Sequence, residues 1–208
     1  NKLVVQSKKS VLYRNEWASL WSSKIDYFEY QVGQLGKDKP IILNSFSYYV
    51  GLAENAIAYV NNTTKKYKKN VNEKVTLQRK RIAFPNLQIN YFNPLNYILD
   101  IEVRDIASYF KSLFFSSYED LFIEVNAYLK RRKLDIYGYQ LLYARLMYPS
   151  FYFDIYEKVM EGEEEEKALL PIINKVDAYE VFLKDMYIVL SQYAPIESVN
   201  WLVNKKEL

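Results

Sequence analysis

Between Tyr13 and Leu35, apolar side chains recur at Trp17, Leu20, Trp21, Ile25, Phe28, Val32 and Leu35. Steps of mostly three and four place them on one stripe of a helix with 3.6 residues per turn. A stripe that wide must be buried against other elements. Gly36 follows as the expected C-cap, and Pro40 stands as a barrier to much continuation. A second helix is expected from Ser47 to about Thr63, with Val50, Ala53, Ile57 and Val60 on its core face. Asn44, Ser45 and Ser47 each offer the side-chain oxygen that an N-cap needs.

The period changes after the polar, basic stretch Thr63 to Asn70, which reads as a helix end and loop. From Glu73 to Leu99, apolar residues come in short runs broken by asparagines, Pro85 and Pro94. Short antiparallel hairpins are expected there and nowhere else. Helical spacing then returns over Arg104–Phe115, Ser117–Lys133, Asp135–Tyr148, Phe151–Glu161 and Val176–Gln192. A short terminal helix near Pro195–Val203 should tuck Trp201 and Leu202 inward. The fold class is therefore mainly α with one small antiparallel β-hairpin region around residues 73–99, in a single domain spanning 1–208.

Composition narrows the chemistry. The chain has neither histidine nor cysteine, so Ser-His-Asp and Cys-His nucleophiles, His- or Cys-ligated zinc and disulfides are all excluded. Five glycines, none within two positions of another, leave no Gly-rich phosphate loop. What remains is carboxylate, Lys or Tyr chemistry, or a hard metal held by oxygens. A net charge of +3 gives no sign of a nucleic-acid surface. No apolar run reaches the length of a membrane span. The opening Asn-Lys-Leu, without Met, is read as a trimmed start with no visible signal peptide.

Two charged runs invite sharper readings. Lys130 to Lys133 (KRRK) closes a helix that carries Glu119 and Asp120 at its front, an arrangement that complements the helix dipole, so a solvated helix end is preferred over a nucleic-acid patch. Glu161 to Glu166 (EGEEEE) resembles a metal cluster in composition only. Contiguous glutamates do not converge on one ion, and a solvated loop or helix start is expected. The 21 tyrosines fit an aromatic core with a tyrosine-rich rim; a sticky surface for assembly is the rival reading.

Four collinear stretches carry a resemblance. Ser45 to Tyr59 (SFSYYVGLAENAIAY), Leu99 to Phe110 (LDIEVRDIASYF), Leu141 to Pro149 (LLYARLMYP) and Ala194 to Leu202 (APIESVNWL) resemble the YutH-type spore-coat-associated proteins. These are relatives of the CotS family, whose fold is similar to aminoglycoside phosphotransferases and hence to protein kinases. The resemblance implies a bilobal parent fold. This chain has no Gly-rich strand-turn-strand and no strand lysine before its first long helix, so the resemblance is expected to cover only the helical C-lobe, with the N-lobe absent from this chain.

Phosphotransferases of this kind need a base Asp and, five residues on, a metal-binding Asn. Counting back from Asn86 lands on Arg81, flanked by Arg79 and Lys80, and a guanidinium accepts no proton. Between Leu87 and Leu99, where the resemblance implies a metal-binding Asp, there are Asn90, Asn93 and Asn96 but no carboxylate. Asp100, Glu102 and Asp105 fall after that position, and structural roles at a helix start are assigned to Asp100 and Asp105. Basic groups between Arg79 and Asn96 are read as solvated rather than as an anion site.

The expected protein is accordingly not an enzyme: no catalytic residue, cofactor-binding residue, metal ligand or cofactor is assigned. It is expected to be an inactive kinase-like structural or interaction protein, made in the cytoplasm of the sporulating cell and then associated with the endospore coat. Its expected partners are other coat proteins or further copies of itself, with no nucleic acid. The alternative is the C-lobe of an ATP-dependent small-molecule phosphotransferase.

Overall fold

The structure, a computed structural model, describes residues 16–67, 75–79 and 97–204, the side chain of Arg79 excepted. The described elements run α1 (Trp17–Leu35), α2 (Pro40–Tyr67), β1 (Val75–Arg79), β2 (Tyr97–Ile101), α3 (Val103–Ser116), α4 (Tyr118–Arg131), α5 (Ile136–Met147), α6 (Ser150–Glu161), α7 (Leu170–Ile173), α8 (Val176–Ser191) and α9 (Asn200–Val203). The molecule is mainly α, as the periodicity predicts. The strands β1 and β2 pair antiparallel, with Val75 opposite Ile101 and Arg79 opposite Tyr97. The rest of the expected hairpin region, 80–96, lies outside the described residues.

Helix α5 is the axis of the core. Its sequence is apolar on nearly every side, and a helix of that kind must be covered all round. Tyr137, Tyr139, Leu141, Leu142, Tyr143, Ala144, Leu146 and Met147 are all buried, and α2, α3 and α8 pack against it. Asp135 starts the helix by accepting from the Gly138 N–H at 2.7 Å. Pro149 then forces Tyr148 into extended backbone and ends it.

Helix α2 differs from the expectation at its start. Pro40 does not end a helix; it begins one, in the first-turn position where its missing N–H costs nothing and its fixed φ suits the helix. Ser45 is no N-cap. It sits buried inside α2, donating to the Ile41 carbonyl at 2.8 Å and lying 2.9 Å from the Tyr152 hydroxyl. The Ile41 N–H, exposed by helix geometry, is met instead by Glu166 Oε2 at 3.0 Å. One of the contiguous glutamates is thus a cap. Among the described residues no group of acidic side chains is placed to hold a metal.

Gly36 is the C-cap of α1 as expected, its N–H donating to the Val32 carbonyl, but with φ −79° it continues into a short 3₁₀ turn. Gly162, after α6, adopts the left-handed conformation, with φ 79°. Trp201 also departs from the expectation: Leu202 is buried, but Trp201 remains 41% exposed. Tyrosines fill much of the core. Tyr49 and Tyr152 stack with centroids 3.8 Å apart, and Tyr143 and Tyr156 are fully buried.

Candidate functional site

The acidic residues Asp100, Glu102 and Asp105 cluster at the turn from β2 into α3. Asp100 is the penultimate residue of β2 and is 1% exposed. Its Oδ1 accepts from the Trp17 indole N–H at 2.8 Å and from the Ile101 N–H at 2.7 Å. Its Oδ2 lies 3.3 Å from Arg104 Nε. Burial pushes the Asp100 carboxyl up to about 6, against the opposing pull of Arg145, Arg104, the Ile101 amide and the Trp17 indole. The carboxylate is therefore a latch joining α1, β2 and α3.

Glu102 is clamped by Arg132, which donates from Nε at 2.7 Å and from Nη2 at 2.6 Å. This two-pronged geometry gives one member of the KRRK run a definite partner. Asp105 lies in the first turn of α3, where negative charge suits the dipole, with Oδ1 3.6 Å from Arg104 Nη1. Gln78, on β1, is buried and donates to the Ile101 carbonyl at 2.6 Å. Lys80, Arg81, Asn86, Asn90, Asn93 and Asn96, and the side chain of Arg79, lie outside the described residues.

A phosphotransferase would need magnesium held through carboxylate oxygens that face the nucleotide. Asp100 does not fit that role, because two N–H donors occupy one oxygen and a guanidinium the other. Glu102 does not fit either, since both its oxygens accept from Arg132.

Behind this latch, a cavity of about 450 Å³ opens between α1, α3, α5 and α6, with Trp21, Lys24, Arg104, Lys111, Arg145 and Asp154 in its wall. Lys111 projects from the buried face of α3 and is 5% exposed. Its ammonium donates to the Tyr148 carbonyl at 2.5 Å and to Ser150 Oγ at 3.2 Å, placing a cation at the negative end of α5. Burial holds that ammonium well below the ordinary lysine value; Arg145 adds to the effect and Asp154 opposes it.

The Arg145 guanidinium lies over Trp17 and Trp21, 5.1 and 5.3 Å from the ring centroids. Trp21 in turn stacks on Tyr148 at 4.2 Å. Burial and the neighbouring Arg104 push Arg145 down to about 10, leaving it charged at neutral pH.

Periodicity and composition assign no role to Lys111 or Arg145. The signal was present: each is a cation interrupting an apolar helical face, Arg145 inside LLYARLMYP and Lys111 one residue after Phe110. Cations in such positions need a buried reason to be there. Among the described residues, no helix is long and apolar enough to cross a membrane.

No solved structure matches the chain. A similar curated protein is the endospore coat-associated protein YutH of Bacillus subtilis, 28% identical over 209 aligned positions. That alignment takes in 90% of this chain and 61% of the relative, so the chain spans about three fifths of the relative's length. The family described as "Spore coat putative kinase YutH" matches residues 2–186, which hold the latch, the cavity and the core helix α5. On that match, the chain belongs to the YutH spore-coat family.

Proposed function

We propose that this chain is a non-catalytic structural or interaction component of the endospore coat, built on the helical lobe of a kinase-like fold. The observation that carries the reading is the engagement of Asp100 by Trp17, Ile101 and Arg104, which turns a carboxylate near the expected metal position into a structural tie. Family membership and the coat-associated relative support the location. Synthesis in the sporulating cell's cytoplasm and later deposition in the coat follow from it. The partners in this reading are other coat proteins or further copies of the chain.

The rival reading, phosphoryl transfer to a small molecule, draws on the word kinase in the family's description. Thermal unfolding with ATP, with and without magnesium, separates the two, on this chain and on any longer native form. Ligand that binds only the folded state raises the midpoint, by about 2.7 kcal/mol of stability at a hundredfold excess over Kd. The structural reading expects no magnesium-dependent shift in either form. A shift that requires magnesium overturns it and calls for a phosphotransfer assay.

A further inference from the structure

We propose that the cavity between α1, α3, α5 and α6 binds a small phosphomonoester through Lys111, Arg145 and the Tyr148 hydroxyl. This goes beyond the coat role, which needs no small ligand.

Three observations converge. The first is charge. Lys24 is paired with Glu157 at 2.9 Å, and Arg104 with Asp100 at 3.3 Å. Arg104 also lies 3.6 Å from Asp105 and Asp100 attracts Arg145 as well, whereas Lys111 hydrogen-bonds neutral groups, the Tyr148 carbonyl and Ser150 Oγ. Burying a cation without full compensation is costly, so an anion that enters the cavity is drawn by more than surface attraction.

The second is unused hydrogen-bonding capacity. Among the described residues several buried polar atoms make no hydrogen bond, the Tyr49 and Tyr143 hydroxyls included, and two of them, Arg145 Nε and the Tyr148 hydroxyl, belong to residues that line the cavity. Tyr148 is only 4% exposed. Such orphaned donors are uncommon in folded proteins and call for a partner. Lys111 spends two of its three protons on Tyr148 and Ser150, which accounts for its place at the end of α5 but not for the third.

The third is size and shape. A volume of about 450 Å³ exceeds what a bare anion needs and falls within the range of small-molecule sites. Donors on three separate side chains suit a group with three acceptor oxygens. A guanidinium fork beside an ammonium is a recurrent solution for phosphate. The stack of Tyr148, Trp21 and Arg145 fixes the fork before ligand arrives, so little ordering remains to be done on binding. A dianion alongside Lys111 also restores the charge that burial opposes.

Isothermal titration of the full chain with phenyl phosphate, inorganic phosphate and benzoate, at matched ionic strength and without magnesium, tests the proposal. One-to-one binding of phenyl phosphate is expected, tighter than inorganic phosphate and at least about tenfold tighter than benzoate. Arg145→Gln and Lys111→Met should each weaken it about tenfold or more, whereas Lys65→Gln on the exposed end of α2 should leave it unchanged. Saturable binding of inorganic phosphate with no gain for phenyl phosphate assigns the cavity to the free ion and overturns the proposal. So does equal binding of benzoate, absence of binding at millimolar concentration, or unchanged affinity in both folded variants. Should both variants lose helicity by circular dichroism, Tyr148→Phe decides, because it removes one hydroxyl and keeps the ring stack. Unchanged affinity in that variant overturns the assignment. Magnesium-free conditions keep this outcome separate from the nucleotide test above.

Discussion

Replacing Asp100 by Asn tests whether the latch is governed by burial or by charge. The carboxyl is pushed from its ordinary 3.8 up to about 6, with burial as the first cause. An unfolded chain releases this proton near 3.8, the folded chain near 6. Between those values the folded state holds more protons, so stability falls as pH rises through the window, and the deficit is complete above pH 6. A shift of about two units corresponds to at most about 3 kcal/mol.

An Asn carboxamide imitates the protonated acid and keeps an oxygen for Trp17 and Ile101. Urea unfolding followed by tryptophan fluorescence at pH 5 should therefore place Asp100→Asn within about 1 kcal/mol of the native chain. Between pH 5 and 7.5 the balance should move toward the variant by about 1.4 kcal/mol, because more than half of the deficit is already present at pH 5. Asp100→Ala is different: it strands the Trp17 indole N–H and the Ile101 N–H in the core, at about 1–3 kcal/mol each. If the variant instead loses ground to the native chain as pH rises from 5 to 7.5, the ion pair with Arg104 outweighs burial and the reasoning is refuted. A magnesium-dependent gain in native stability that Asp100→Asn abolishes would refute the latch as a whole.

Two further substitutions probe local structure. Gly162→Ala should cost about 1 kcal/mol in urea unfolding, because φ is 79° there and nothing lies within 4 Å of the added methyl, so the whole cost is backbone conformation; no change would remove the left-handed cap from the account. A double-mutant cycle on Glu102 and Arg132 should return a coupling of about 1 kcal/mol, the upper end for part-exposed pairs, since both prongs are 2.7 Å or shorter; a coupling near zero at low salt would make the clamp a mere proximity.

The periodic elements were legible because burial writes itself into spacing. The stripe Trp17, Trp21, Ile25, Phe28 is buried as the period requires, while Leu20 and Leu35, at its edges, are exposed. Starts and ends were harder to read, because they depend on partners remote in sequence. Pro40 can end a helix or begin one, and the choice rests on Glu166, which supplies the missing acceptor from the far side of the fold. Trp201, expected to tuck inward, instead directs its indole N–H toward Asn55 at 3.4 Å on the surface.

The latch illustrates the same limit. A structural role for Asp100 follows from its position before a helix, but one of its hydrogen-bond partners, Trp17, lies 83 residues away and leaves no local trace. Lys111 and Arg145 do not stand out in the sequence because the apolar residues around them dominate the helical pattern.

The remote capping of α2 has a consequence for how the chain is made. The Ile41 N–H waits for a glutamate 125 residues later, the Tyr48 hydroxyl for Glu180, 132 residues later, and the Tyr59 hydroxyl for the Glu197 carbonyl, 138 residues later. At about 5–20 residues per second, the ribosome leaves the second helix without these ties for roughly 6–25 seconds after it emerges. Through that interval Tyr49, Leu52, Ile57 and Val60 have only α1 and nascent neighbours to cover them. Full tethering of α2 is thus tied to arrival of the last fifth of the chain: a protein truncated before Glu166 keeps α5 and α6 against α2 but leaves the Ile41 N–H and the Tyr48 hydroxyl without these partners.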